Sequence, residues 1–331
     1  MSGRGLSVSD RTLSRLIRGA VMVLAVAVPL AVALHFLDRG PDHGPTLIDR
    51  QIAAASAAVR KTPNEIGPRL LLAQLYQGAS RPDDALEQYD QVLKVKPKIT
   101  AALIGRADIL LDKGDLDGAA RAYERVVKIS SGGEFANVDK NLEHAYYGLG
   151  AVTLKQRRPK DAVSALESAV AINAADADAW YLLGVAALQA DTPKRAVEAL
   201  QRAVLFVPTG WCEPYDALSQ AYAKLGSTAY AEYAGAMTDF CKNRLDAAGS
   251  RLATLTSGPA RVDALLGLGL VTETQGDRAA AMRWYKKVLA ADRANFNAQA
   301  GLSRLGAGQA PTHTPTPATP PGGSSTNATP S

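Results

Sequence analysis

The sequence predicts an all-α protein, a solenoid of paired helices preceded by an N-terminal transmembrane helix. Three observations carry this reading. A pattern of small and large apolar residues returns through the middle of the chain, and Pro63 and Pro97 stand one period of 34 residues apart. The 19 residues from Gly19 to Leu37 contain one polar member, His35. The composition, 47% hydrophobic and 21% charged over 331 residues, permits a sizeable core and excludes collagen-like, disulfide-scaffold and wholly disordered chains.

In chain order, residues 1 to 18 form a basic N-terminus carrying Arg4, Arg11, Arg15 and Arg18. The apolar run at 19 to 37 reaches roughly 28 Å as a helix at about 1.5 Å per residue, close to the ~30 Å hydrocarbon core of a bilayer. Only Arg39 and Arg50 follow it closely. The charge asymmetry therefore predicts a single-pass signal-anchor in the cell membrane, N-terminus cytoplasmic and the remainder extracytoplasmic. The alternative is a cleaved signal peptide, because Ala31-Val32-Ala33 resembles a small-residue cleavage site, and the protein would then be secreted or periplasmic. Pro29 would kink a spanning helix, whereas the apolar run continuing past that point favours retention. A buried core helix would not need apolar residues on every face. Residues 38 to 45, DRGPDHGP, form a linker whose glycines and prolines end the helix. At the far end, residues 306 to 331 hold six prolines, six threonines and no large apolar residue, which predicts a disordered, solvated tail.

Between these ends, residues 46 to 305 repeat. Residues 177 to 210 show the pattern most fully, with Trp180, Leu183-Gly184, Pro193, Ala196, Ala203-Val204 and Pro208. Residues 66 to 99 repeat it with Leu72-Ala73, Tyr76, Ala85, Tyr89, Val92-Leu93 and Pro97; residues 100 to 133 follow with Leu103, Ala107, Gly114, Ala119, Tyr123 and Val126-Val127. Nine residues, EFANVDKNL, interrupt the period before residues 143 to 176 restore it at Tyr146, Leu149-Gly150, Ala162 and Leu166. Residues 212 to 245 form a weaker unit, in which Gly235 and Thr238 put the second helix in doubt. After a further sixteen residues, 262 to 295 recover the pattern at Leu265, Leu268-Gly269, Gly276, Ala281 and Tyr285. Residues 46 to 62 read as a lone preceding helix and 296 to 305 as a closing one.

Spacing and residue pattern together resemble the tetratricopeptide repeat family, in a membrane-anchored bacterial type. The resemblance implies a right-handed superhelical α-solenoid whose first helices line a concave groove that holds an extended peptide or a helix. Carried over residue by residue, the groove positions are Leu70, Gln74 and Gln77; Ile104, Asp108 and Leu111; Tyr147, Ala151 and Leu154; and Tyr181, Val185 and Leu188. Leu70, Ile104, Tyr147 and Tyr181 recur at one equivalent position, and such a row favours a partner with a hydrophobic face. Packing against a neighbouring helix is the competing reading of the same side chains. Chaperone-binding members clamp a C-terminal carboxylate with Lys and Asn, where this chain has Leu70 and Gln74, so no clamp is expected.

The two cysteines are informative through their phase. Cys212 opens a first helix and Cys241 ends the following second helix, ends that are adjacent in an antiparallel hairpin. An oxidising exterior would join them, for on the order of 3 kcal/mol by chain entropy; two separate buried thiols is the other reading.

Catalytic and metal-binding signatures do not stand out. His35, His43, His144 and His313 are far apart, with no HExxH, GxSxG or GxxxxGK and no Cys/His zinc spacing. Residues 1 to 38 carry +2 of the net charge of +5, so only +3 is spread over the remainder and no nucleic-acid surface is expected. The expectation is a non-enzymatic protein without metal, cofactor or small-molecule substrate. It touches the bilayer through residues 19 to 37 and a protein or peptide through its groove, as a scaffold or adaptor in envelope assembly. The alternative is an assembly factor for an unfolded exported client, similar to tetratricopeptide subunits of cytochrome c maturation.

Overall fold

The computed structural model describes residues 46–206 and 211–306. The basic N-terminus, the apolar segment 19–37, the linker, Pro208 and the tail 307–331 lie outside the described residues. Among the described residues there is no strand, and no helix is long and apolar enough to cross a membrane.

Helix α1 (Leu47–Lys61) precedes a hairpin of α2 (Ile66–Gly78) and α3 (Pro82–Val95). Further hairpins are α4 (Thr100–Asp112) with α5 (Leu116–Ser130), α6 (Lys140–Lys155) with α7 (Pro159–Ile172), and α8 (Ala177–Gln189) with α9 (Pro193–Phe206). After them come α10 (Glu213–Lys224), α11 (Thr228–Cys241), α12 (Leu245–Thr254), α13 (Arg261–Thr274), α14 (Arg278–Ala291) and α15 (Phe296–Gly306). Each helix packs on the next in the chain, and first helices also touch first helices, giving a continuous row α2, α4, α6, α8, α10.

One turn builds all the hairpins. The first helix ends on a left-handed residue, Ser80, Gly114, Arg157, Asp191, Gly226 or Gly276, with φ between 56° and 83°. The next amide then donates back across the helix end, as in Arg81 N to the Tyr76 carbonyl at 2.8 Å and Asp277 N to that of Thr272 at 2.9 Å. That closure satisfies carbonyls the helix leaves open. Proline then starts three of the second helices, at Pro82, Pro159 and Pro193, where no amide is needed.

The core follows the same period. In five of the second helices a large residue at one repeat position, Tyr89, Tyr123, Leu166, Leu200 or Tyr285, is wholly or almost wholly buried. Opposite each ring or isobutyl group stands a glycine. A methyl at Gly105 would lie 2.2 Å from Tyr89 Cζ, and one at Gly148 2.3 Å from Tyr123 Cζ, so neither helix could approach as it does with a side chain there. Three of the tyrosine hydroxyls are held by first-helix side chains: Tyr89 by Gln77 at 2.9 Å, Tyr123 by Asp108 at 2.5 Å, and Tyr285 by Glu273.

Two expectations are corrected. The nine-residue interruption is shorter as a loop, because α6 starts at Lys140 rather than 143, nucleated by Asp139, whose carboxylate accepts from Asn141 N and Leu142 N. The second helix placed in doubt by Gly235 and Thr238 is continuous from Thr228 to Cys241. Gly235 stands at the repeat position of Tyr89 and Leu200, and the space is taken by Arg251, whose guanidinium lies where a Cβ would be. Arg251 arrives on α12, a helix within the sixteen residues that carried no repeat pattern.

The added helix α12 changes the phase of the stack. The α11–α12 turn copies the hairpin turn, with Asn243 at φ 58° and Arg244 N donating to the Asp239 carbonyl at 2.8 Å. Thus α11 is the second helix to α10 and also the first helix to α12. A new row of neighbours, α11, α13 and α15, continues from there. Charges fix this junction: buried Asp239 accepts from both Arg244 and Arg251, and Arg251 also pairs with Glu232 at 2.9 Å. Burial alone would raise the Asp239 pKa, but the hydrogen bonds from Arg251 and Arg244 outweigh it and leave the carboxyl below its ordinary value. The C-terminal hairpin is closed similarly, by Arg304 on α15 forking onto buried Glu273 with two contacts of 3.0 Å.

Candidate interaction surface

The twelve groove positions lie on four first helices that touch in succession, and in three different situations. Gln74 is exposed, and Leu70, Leu111, Tyr147, Ala151, Leu154, Tyr181, Val185 and Leu188 are half-buried. Of these, Leu70, Leu111, Tyr147, Leu154, Tyr181 and Leu188 rest on the core with one side and face outward with the other. Ile104 is a correction: only 9% exposed, it packs with Leu103, Ala107 and Ala119 in the core rather than in a groove. Gln77 and Asp108 are engaged internally, holding the hydroxyls of Tyr89 and Tyr123.

The aromatic part of the row lies on α6 and α8. Tyr147 and Tyr181 sit at one repeat position on adjacent helices that touch. Trp211, just ahead of α10, meets Tyr181 edge-on with ring centroids 5.0 Å apart, extending the aromatic surface toward α10. This tryptophan lies between repeat units, so the period gave no reason to single it out.

Beside the tyrosines the surface is acidic. Asp108 faces His144 Nε2 at 2.9 Å, and that hydrogen bond, opposed by burial, raises the histidine pKa. Glu143, in the first turn of α6, is pushed up to about 7 by burial, by a hydrogen bond shared with Asp176 and by that carboxylate's charge. A carboxylate so close disfavours ionisation of its neighbour, and Glu143 is the group that shows it. Asp176 also caps α8, accepting from Ala179 N at 3.0 Å. Burial, then the charges of Asp178, Asp176 and Glu143, raise the Tyr147 hydroxyl as well. A cationic group laid across α6 and α8 would meet this charge. Among the described residues no three His, Cys, Asp or Glu side chains converge as a metal site requires.

Cys212 and Cys241 are joined by a disulfide, with Cα atoms 5.6 Å apart, which ties the start of α10 to the end of α11. It lies at the end of the first-helix row, at the junction where α12 shifts the phase.

These features define a helical repeat protein with an apolar and acidic surface along its first helices. The tetratricopeptide repeat model matches residues 70–134, 147–210 and 242–296, more than half of the chain, and the chain belongs to that family. Among solved structures it is similar to MamA 41-end from Desulfovibrio magneticus RS-1, at 24% identity over 54% of this chain and 98% of that one, with a TM-score of 0.47. It is similar also to BtubC from P. vanneervenii, at 19% identity over 61% and 93% of the two chains, TM-score 0.49. YrrB, described as a TPR protein with an unusual peptide-binding site, matches at 19% identity over 76% and 98%, TM-score 0.35. No curated protein matches the chain.

Proposed function

We propose that this protein is a membrane-tethered scaffold or adaptor that holds a peptide or helix of a partner protein during assembly of a cell-envelope complex. The repeats wind as a right-handed superhelix, and the row α2 to α10 is its concave, gripping side. The observation that carries this is the outward-facing apolar surface of Tyr147, Leu154, Tyr181, Val185 and Leu188 on two adjacent helices, flanked by Glu143, Asp176 and Asp178. An amphipathic segment with an apolar stripe and a Lys or Arg beside it matches both features. The tether is residues 19–37, N-terminus cytoplasmic and repeats outside, and a Cys212–Cys241 disulfide suits an oxidising compartment of that kind.

Photoreactive residues placed at Tyr147 and Tyr181 in the full chain, in native membranes, test the proposal. A discrete polypeptide adduct at both positions, absent when the probe replaces exposed Glu124 on α5, supports it. The absence of adducts, or equal labelling from Glu124, refutes it.

A further inference from the structure

The repeats provide an internal comparison that singles out one cleft away from the first-helix row. Residues 66–99 and 100–133 map onto 143–176 and 177–210 by a shift of 77 positions. In the later pair, the gap between second helices α7 and α9 is filled by Arg195, which bonds Glu167 at 2.9 Å and Glu198 at 3.2 Å and lies 6.0 Å from the Trp180 ring. In the earlier pair, Arg195 is replaced by Gly118 and Glu198 by Arg121, while Asp90 stands in for Glu167. The plug is missing and the charge opposite it is reversed.

What remains is an open cleft of about 430 Å³ between α3, α4 and α5. Its floor is Leu93, Leu103 and Ala122, and its walls bring together Lys94, Arg106, Arg121 and Arg125 around a single carboxylate, Asp90. Arg106 gives its Nε to Asp90 at 2.8 Å, and Arg125 gives one terminal nitrogen to the Pro97 carbonyl at 2.9 Å. Lys94 and Arg121 have no hydrogen-bond or ion-pair partner among the described residues. Close by, Arg81 and Lys113 are each paired with a carboxylate, Asp84 and Asp83. Like charges gathered on an apolar floor repel one another, and an anion between them removes that repulsion.

We propose that this cleft binds a phosphate group. Guanidinium forks from two helices suit a tetrahedral oxyanion, donating paired N–H groups to separate oxygens. The cleft falls in the size range of small-molecule sites, about 300–1,000 Å³, so the phosphate arrives as an ester whose organic part lies over Leu93, Leu103 and Ala122. That ester is either a soluble metabolite or a lipid headgroup.

The test is calorimetric titration of the full chain in neutral detergent with three probes: inorganic phosphate, glycerol 3-phosphate and dihexanoyl phosphatidylglycerol. Saturable binding of at least one probe is expected. It should weaken about tenfold or more in Arg121→Glu, since a charged hydrogen bond is lost and a carboxylate introduced. It should change less than about twofold in Lys160→Glu, which alters net charge equally at an exposed site on α7. Glycerol 3-phosphate binding as well as the lipid indicates the soluble source; binding of the lipid alone indicates the headgroup. No saturable binding of any probe, or equal losses in both variants, overturns the proposal. Arg121 is exposed, so Arg121→Glu should melt no lower than the wild type; if it melts lower, Lys94→Gln serves as the second variant, with the same loss expected.

Discussion

Gly105 offers a direct test of how the repeats are held together. Replacing it with alanine puts a methyl carbon 2.2 Å from Tyr89 Cζ, 2.4 Å from its hydroxyl and 2.6 Å from Cε2. Non-bonded carbon atoms prefer separations of about 3.5–4.0 Å, so the ring or the helix must retreat by more than ~1 Å. Tyr89 is 2% exposed and its hydroxyl is anchored on Gln77 at 2.9 Å, so the ring has nowhere to go without losing that bond. Overpacking of this kind costs about 1–3 kcal/mol, and the strained hydrogen bond about 0.5–1.5 kcal/mol more. Alanine's better helix propensity returns up to about 1 kcal/mol. The net expectation is a loss of about 1–3 kcal/mol. Gly67, on α2 with nothing within 4 Å, is the matched control, and alanine there should be neutral or stabilising by up to about 1 kcal/mol. Urea unfolding of the full chain in neutral detergent, followed by far-ultraviolet circular dichroism, measures both. A Gly105→Ala protein as stable as Gly67→Ala would refute the reasoning that close ring-to-backbone contact sets the stack.

Other consequences follow from the turns, the charges and the disulfide. Arg157 adopts φ 59° at a hairpin turn, so Arg157→Gly should stabilise by about 1 kcal/mol in the same unfolding assay. Glu143 has its folded pKa raised from 4.5 to about 7, so its contribution is fully present below pH 4.5 and lost as pH rises through about 7. His144, also raised, acts in the same sense, contributing below 6.5 and losing that as pH passes its folded value. Melting temperature should therefore fall between pH 5 and about pH 8, and Glu143→Gln should flatten the fall; an unchanged profile would contradict the raised Glu143 carboxyl. Reducing Cys212–Cys241 should cost on the order of 3–4 kcal/mol, read as lower protection of the α10 and α11 amides in hydrogen exchange, with α2 to α5 unaffected.

Where the 34-residue period is regular, the sequence was a close guide. Helices α2 to α5 fall within residues 66–133 because glycine, tyrosine and alanine recur where helix backbones meet, and each residue type there has one structural use. The period failed where a position changed its use. Gly235 looked like a helix breaker because the other units have a tyrosine or leucine there; it is the space for Arg251, supplied by a helix whose sequence, LDAAGSRLAT, has few large apolar residues and therefore no visible pattern. The start of α6 was misplaced because Asp139, its cap, precedes the repeat unit. At the surface, equivalent register did not guarantee equivalent exposure. Ile104 is buried in the core cluster of its own hairpin while the larger rings of Tyr147 and Tyr181 remain half-exposed. The Glu143–Asp176 pair joins two units and is invisible within either one.

The measurement closest to the central claim is the affinity of the polypeptide captured at Tyr147 and Tyr181 for the full chain and for a Tyr147→Ala, Tyr181→Ala double variant. Both rings are half-buried and pack against the core without being enclosed by it. The account predicts that the variant retains its helical circular dichroism and loses tenfold or more in affinity, as truncating aromatic anchors at an interface does. Unchanged affinity in a folded variant would contradict it.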